Sequence, residues 1–315
     1  MAPPTRSSAV LDNAPILVGV NDRRLMLVHA HPDDESSQSS VTMARYLDEG
    51  AQVTLVTCTL GEMGEILVPE WQHYSPYELG QHRSQEIVDA MAYIGLTDHV
   101  YLGGIGHYHD TGMGRDEFGN AIAPAELPQG AFWHADLLEA ASHLVELIRD
   151  RRPQVLITYD ERGNYGHPDH IQAHRVTVYA MALAASPAFR PDLGAPWQVG
   201  RLLFISHNTP LWSEAYALAK QRGLTLWGDE DRDPASFGPD PSKIVAVVPI
   251  DGYLDRARNA LFSHRSQVSV EGEFWQFYQL VQELDGAGDA YQLAWGVPFP
   301  PAEAPATDLF AGLDL

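Results

Sequence analysis

The sequence predicts an α/β fold, a Rossmann-like three-layer sandwich with a mostly parallel sheet. Two observations predict it: short apolar runs rich in β-branched residues recur along the chain, and segments with apolar residues at helical spacing follow them. The runs lack polar alternation, which is typical of parallel strands covered on both faces. Ligands of such sheets bind outside the carboxyl ends of the strands, so we expect the active site there.

The elements follow in order from this alternation. A strand is predicted over 24–30, and the next segment, 37–50, has helical spacing with Gly50 as its stop. Further strands are predicted over 52–59, 100–102, 155–159, 202–206 and 244–248, and further helices over 76–95, 133–152, 168–185, 210–222 and 251–264. The segment 106–130 is long and irregular, and we expect a substrate loop there because it leaves the same rim of the sheet.

The charge balance excludes some classes of partner. The 315 residues include 42 Asp and Glu against 20 Lys and Arg, a formal net charge of -22. We therefore expect neither nucleic acid nor an anionic membrane surface as a partner, and a small-molecule substrate instead. The single cysteine, Cys58, excludes an intrachain disulfide, and no apolar span or leader-like segment stands out. A cytoplasmic location is predicted.

The first candidate site follows the first predicted strand. His31, Asp33 and Asp34 stand in a His-Pro-Asp-Asp run directly after apolar residues. A histidine and a carboxylate three residues apart suit a borderline cation such as Zn²⁺. An Asp pair after a proline is also typical of a turn that caps a helix. Taken by itself, this stretch leaves both interpretations open.

A second cluster, from Tyr165 to His170, follows the strand predicted over 155–159. Catalytic zinc commonly has three protein ligands from His and carboxylate, and His31, Asp34 and His170 supply that set from two strand ends. Asp33, next to a ligand, is then the expected general base on the attacking water.

The remaining polar residues of the second cluster receive roles in the same reaction. We expect His167 to stabilise the tetrahedral oxyanion or to protonate the leaving amine. Tyr165 could donate a hydrogen bond to the same oxyanion. Asp169 is expected to orient a ligand histidine.

The two motifs, His31-Pro32-Asp33-Asp34 and Tyr165-Gly166-His167-Pro168-Asp169-His170, resemble those of the PIG-L/LmbE-like superfamily of zinc-dependent N-deacetylases. The similarity extends from about residue 24 to at least residue 270. It implies one Zn²⁺ per chain, with Fe²⁺ or another divalent metal possible, held by the ligand set given above. A nucleotide-binding module is the contrasting class, but the first strand lacks the Gly-rich phosphate loop.

Within the superfamily the chain is most similar to members that deacetylate N-acetylglucosaminyl-inositol, which implies release of acetate and the free amine. The alternatives are amide cleavage of a mycothiol S-conjugate and deacetylation of another N-acetylglucosaminyl compound. The same resemblance implies substrate contacts for Arg83, Asp110, Glu65 and Met113. His264 could enter the site from the carboxyl-terminal part or cap a helix.

The domain organisation predicted from these features has four parts. Residues 1–22 are expected to form a flexible amino-terminal arm, and 23–190 the metal-binding catalytic region. Residues 191–297 are expected to complete the substrate pocket as part of the same domain, and 298–315 to form a poorly ordered tail because they show little periodicity.

Overall fold

The computed structural model describes residues 22–224, 226 and 239–315, so most of the predicted amino-terminal arm falls outside the described residues. The strands are β1 (Arg24–His29), β2 (Gln52–Thr57), β3 (Asp98–Tyr101), β4 (Gly114–Arg115), β5 (Ala121–Ile122), β6 (Val155–Thr158), β7 (Arg201–Ser206), β8 (Ile244–Pro249) and β9 (Gly288–Gly296). The helices are α1 (Asp34–Gln38), α2 (Ser40–Asp48), α3 (Pro76–Ile94), α4 (Leu137–Arg151), α5 (Gly163–Gly166), α6 (Pro168–Ala184), α7 (Thr209–Gln221), α8 (Leu254–Ser263) and α9 (Glu273–Gln282).

The central sheet confirms the predicted α/β class. Its order is β3-β2-β1-β6-β7-β9-β8. The first five of these strands are parallel to one another, whereas β9 runs antiparallel to β7 and β8. β1 and β6 lie inside the sheet and are almost wholly buried, as their unbroken apolar runs predict. The one sheet runs through both 23–190 and 191–297.

Local sequence signals set the ends of the helices that support the site. Ser75 and Glu78 form a capping box at the start of α3, and Gly95 ends it in the left-handed conformation. α6 begins at Pro168, where a proline needs no backbone donor, and the His167 side chain accepts from the backbone N–H of Asp169. His167 and His170 are thereby fixed at the first turn of a helix.

The prediction of a single helix over 37–50 is wrong. The chain forms two helices here, and they meet at Ser39, where φ is -147°. α1 also begins earlier, at Asp34. Serines compete for backbone hydrogen bonds, and Ser37 Oγ donates to the carbonyl of Asp34 at 3.2 Å. The break keeps Asp34 at the amino-terminal end of a short separate helix.

The carboxyl-terminal region is more ordered than its composition indicates. Residues 298–315, expected to form a poorly ordered tail, place Leu309 and Phe310 in the main hydrophobic core. The buried Arg201 guanidinium donates to the carbonyls of Leu309 and Ala311, at 2.6 and 2.9 Å. One buried side chain anchors the tail, and such an anchor leaves no periodic pattern. α9 and β9 were also not predicted. In the described residues no helix is long and apolar enough to cross a membrane.

Candidate metal centre and active site

The two predicted motifs follow neighbouring strands. β1 pairs with β6 in parallel, so the turns after these strands lie side by side. The backbone N–H of Ala30, after β1, donates a 2.9 Å hydrogen bond to the hydroxyl of Tyr159, after β6. The sheet topology and this bond bring the segments of His31 and His170 to one rim.

The structure brings the three predicted metal ligands together. One oxygen of Asp34 lies 3.3 Å from His31 Nδ1, and its other oxygen lies 3.3 Å from His170 Nε2. A tetrahedral zinc site with bonds of about 2.0–2.1 Å separates its ligand atoms by about 3.3–3.4 Å. All three side chains are buried. Each of the two spacings suits a shared divalent ion, and the two histidines approach different oxygens of Asp34.

His170 provides an independent test of whether these residues fit a metal. Neither of its ring nitrogens makes a well-aligned hydrogen bond within the described residues, although the residue is fully buried and Nε2 lies 3.3 Å from an Asp34 oxygen. Buried polar atoms are nearly always paired. The Tyr159 ring stacks on the imidazole at 4.1 Å and holds its orientation. An ion at Nε2 would supply a missing partner, so the residues present fit a metal.

Two further carboxylates lie near Nε2 of His31, the ring nitrogen that does not face Asp34. His31 Nε2 lies 3.2 Å from Asp169 and 3.6 Å from Asp110. Burial lowers the pKa of His31, but Asp110, with help from Asp169 and Asp34, raises it well above its ordinary value. The field at this point therefore favours positive charge. A carboxylate on the second nitrogen of a ligand histidine is common around protein metals, and the expected role of Asp169 agrees with this position.

Thr111 holds Asp169 in place and was not predicted to belong to the site. Its backbone N–H donates to Asp169 Oδ2 at 2.8 Å, and its hydroxyl donates to the other oxygen. Both residues are fully buried. Thr111 lies in the irregular segment 106–130, which therefore reaches the rim as predicted.

His167 lies beside the other two histidines, with ring centroids 4.6 Å from His31 and 5.1 Å from His170. The ligand atoms of these three histidines all lie within 4.8 Å of one another, and the same holds for His31, Asp110 and Asp169. His167 Nδ1 accepts from the backbone N–H of Asp169 at 3.2 Å, so the proton of the neutral ring lies on Nε2. Burial, then the charges of His31 and His170, lower the pKa of His167 to about 2.

Asp33, the predicted general base, has a raised pKa and a contact with Arg83. Burial is the largest cause that raises its pKa to about 6, while Arg83 opposes the rise. An Arg83 nitrogen donates to the Asp33 carboxylate at 3.1 Å and to the Pro32 carbonyl at 2.5 Å. The φ of Asp33 is 124°, which is unusual for a residue other than glycine and typical of strained functional positions.

Glu35 contacts this strained turn directly, and His264 contacts Glu35. Glu35 accepts from the backbone N–H of Asp33 at 2.9 Å, and its other oxygen lies 2.9 Å from His264 Nε2. Both side chains are fully buried. Burial raises the pKa of Glu35, but His264 outweighs it and lowers the pKa to about 2. His264 thus reaches the Asp33 turn through Glu35, it is fully buried, and it stands at the C-cap of α8, which is one of the two expectations for it.

We expect His264→Ala to lower kcat by about 10- to 100-fold with little change in KM, because small displacements of a catalytic group are that costly. The residue touches no open surface, so substrate affinity has no reason to change. Steady-state kinetics and metal analysis of the same sample measure both effects. His264→Gln, which keeps a donor near Nε2, should recover part of kcat. A raised KM with unchanged kcat would instead support the substrate contact that the family resemblance implies.

Some of the predicted substrate residues are buried, and others are exposed. Arg83 and Asp110 are buried next to the metal residues, and Asp110 accepts from the backbone N–H groups of Met63 and Gly112. Met113 and Tyr165 are exposed, with 58% of Tyr165 accessible beside the ring of His170. Glu65 is exposed too, and its backbone carbonyl accepts a hydrogen bond from the Gln267 side chain at 3.1 Å.

Several buried or partly buried polar residues of the site were not predicted to function there. Besides Thr111 and Glu35, they are Glu62, Gln38 and Tyr159. Glu62 accepts from the backbone N–H of Asp110 at 3.0 Å, and Gln38 donates to Asp34 at 3.1 Å. Each follows a predicted strand or lies in the first helix, but a Glu or Gln at such a position is also common on surfaces. Their roles depend on contacts that the sequence does not display.

The fold and the site together define a metal-binding hydrolase of the α/β class, with a His and carboxylate ligand set and an acid beside it. Residues 26–181 match the family described as PIG-L, GlcNAc-PI de-N-acetylase. The chain belongs to this family.

Relatives match over almost the whole chain. A 1D-myo-inositol 2-acetamido-2-deoxy-alpha-D-glucopyranoside deacetylase from Kribbella flavida is 48% identical over 299 residues, covering 93% of this chain and 98% of the relative. A protein of the same name from a Nocardioides species is 47% identical, with 93% and 99% covered.

Solved structures share the fold at lower identity. N,N'-diacetylchitobiose deacetylase from Pyrococcus horikoshii aligns with a TM-score of 0.59 and 17% identity, covering 86% of this chain and 83% of that one. The 4-carboxy-2-hydroxymuconate hydratase GalB from Pseudomonas putida aligns with a TM-score of 0.57 and 14% identity, covering 89% and 99%. The fold thus carries more than one chemistry, and the function must be argued from the site.

Proposed function

We propose that this protein hydrolyses the N-acetyl amide of N-acetylglucosaminyl-inositol and releases acetate and the free amine. The observation that carries the proposal is the Asp34 carboxylate between His31 and His170, with Asp33 on the next residue. The substrate is supported by relatives of that name at 47–48% identity over 93% of the chain. We further propose Zn²⁺ as the metal and a cytoplasmic location.

The metal would be held by His31, Asp34 and His170. When bound, it would supply Lewis-acid chemistry to the acetyl carbonyl and to water. Asp33 accepts the proton of the attacking water and returns it to the amine nitrogen as the C–N bond breaks, and a pKa of about 6 leaves its carboxylate mostly ionised near neutrality before the reaction. Arg83 keeps that carboxylate in place through its 3.1 Å hydrogen bond.

His167 acts on the oxyanion as a neutral hydrogen-bond donor in this proposal. Its Nδ1 accepts from the backbone, so the donor is Nε2–H. A lowered pKa keeps the ring uncharged before the reaction. Of the two roles expected for His167, these contacts favour oxyanion stabilisation in the first step. The exposed Tyr165, whose ring lies 6.1 Å from that of His167, is near enough to add a second donor from the solvent side.

The decisive experiment compares two substrates with the same metal-reconstituted protein. We expect free amine from N-acetylglucosaminyl-inositol with a kcat/KM at least about 10-fold above that for a mycothiol S-conjugate, a ratio within reach of pocket discrimination. Product is measured as primary amine, and acetate is measured in parallel. Faster cleavage of the S-conjugate would overturn the proposed substrate.

Chelation gives a separate test of the metal. Removal of bound metal should abolish turnover, and Zn²⁺ at one equivalent per chain should restore it. Chelator-treated protein dialysed free of chelator is the starting material, and untreated protein carried through the same dialysis is the control. Full activity at undetectable metal content would contradict the proposed mechanism.

A further inference from the structure

A second group of metal-binding side chains lies on the surface, on α4 and on the loop that precedes it. His107 Nε2 and His143 Nε2 both approach the same oxygen of Glu139, at 3.0 and 2.9 Å. The ligand atoms of these three residues all lie within 4.8 Å of one another. Between 35% and 42% of each side chain is exposed, so an ion could enter from solvent.

The helix and two hydrogen bonds fix the positions of these three residues. Glu139 and His143 are four residues apart on α4 and therefore project from one face of the helix. The backbone N–H of His107 donates to the Gly104 carbonyl at 3.1 Å, which closes a turn. The buried Tyr108 hydroxyl donates to the second oxygen of Glu139 at 2.7 Å. A hydrogen bond of this kind fixes the orientation of a metal-binding carboxylate and leaves its other oxygen available.

We propose that His107, Glu139 and His143 form a second divalent metal site that binds Zn²⁺ and is separate from the catalytic centre. Two imidazoles and one carboxylate are a ligand set that zinc uses in proteins, with the remaining positions open to water. The formal net charge of -22 also attracts cations to the surface of the chain.

The site would tie the loop after β3 to α4. The same loop carries Asp110 and Thr111, which contact His31 and Asp169. An ion bound by His107 would therefore fix the loop only a few residues before the point where it enters the catalytic centre. We expect zinc to protect backbone amides of this loop from hydrogen exchange, because it adds a link between two segments whose histidine contacts with Glu139 are exposed.

The test is the number of zinc ions that the protein binds at equilibrium. Wild type is dialysed against micromolar Zn²⁺, and bound metal is measured together with protein concentration. We expect His143→Ala to bind about one ion per chain fewer than wild type, and His107→Ala to show the same loss. His134→Ala removes an exposed histidine of the same region that lies outside the group, and it should bind as much zinc as wild type.

The difference between wild type and variant tests the surface site whatever the catalytic centre binds. Circular dichroism and deacetylase activity at one zinc equivalent should be unchanged in His143→Ala, since the residue lies outside the catalytic centre. Equal zinc content in wild type and His143→Ala would overturn the proposal. A loss of zinc in His134→Ala as large as in His143→Ala would also overturn it, because binding would then be adventitious. Hydrogen exchange of the loop provides a second readout, and zinc should slow it in wild type but not in His143→Ala.

Discussion

Asp33→Asn lowers kcat by at least about 10²-fold and leaves the bound metal at the wild-type level, if Asp33 is the general base. Asparagine has nearly the same volume, and its carbonyl oxygen can still accept from Arg83, which lies 3.1 Å from the present carboxylate. The amide cannot take a proton from water at neutral pH. The loss should therefore fall on kcat, with KM changed little. Kinetics and metal content, measured on one sample, check both parts.

The same experiment distinguishes the two adjacent acids. Asp33 lies in contact with Arg83, whereas Asp34 lies between two histidines. If Asp33→Asn loses its metal and Asp34→Asn keeps it, the ligand and the base were assigned in the wrong order. Asp89→Asn makes the same change at an exposed acid of α3 and is the control for the substitution itself. It should retain both metal and turnover.

The parts of this structure that follow from local sequence could be predicted. Unbroken apolar runs predict β1 and β6, and parallel neighbours place the residues after them on one rim. That reasoning is enough to bring His31 and His170 together, because it requires only strand order and the side of the sheet. It does not require any side-chain contact to be known.

The remaining features depend on contacts between distant residues. Glu35 and His264 are separated by 229 positions in the chain, and Thr111 and Asp169 by 58. Such pairs leave no periodic pattern, because each partner is a single polar residue in its own segment. The sequence does not indicate the positive φ of Asp33 either. A glycine at this position would suggest such a conformation, but an aspartate does not. The tail after residue 298 depends on Arg201 in the same way.

These distant contacts explain why two neighbouring acids have different environments. Asp34 receives hydrogen bonds from the backbone N–H of His31 at 2.9 Å and from Gln38 at 3.1 Å, and the histidines hold its pKa well below the usual range. Asp33 projects to the other side of the turn, towards Arg83, and burial raises its pKa to about 6. These environments support the proposed roles, in which Asp34 stays charged as a metal ligand and Asp33 titrates near the range that a general base requires.

Asp34→Asn should weaken metal binding more than Asp33→Asn does. The variant keeps the shape of the side chain but removes the negative charge between His31 and His170, so we expect metal affinity to fall by more than about 100-fold and turnover to fall in parallel. Excess Zn²⁺ should restore only part of the activity. Metal content after dialysis, and activity titrated with Zn²⁺, measure the two losses.

Asp169→Asn is the matched comparison, because it also removes a buried carboxylate next to His31. Asp169 lies 3.2 Å from His31 Nε2, the nitrogen that faces away from Asp34, so its loss should weaken metal binding only about 10- to 100-fold. Full activity of Asp169→Asn should return at high Zn²⁺, whereas that of Asp34→Asn should not. If Asp169→Asn proves the more damaging for metal binding, the ion is held on the Nε2 side of His31, by the group of His31, Asp110 and Asp169. The ligand assignment would then pass from Asp34 to Asp169, with His31 common to both arrangements.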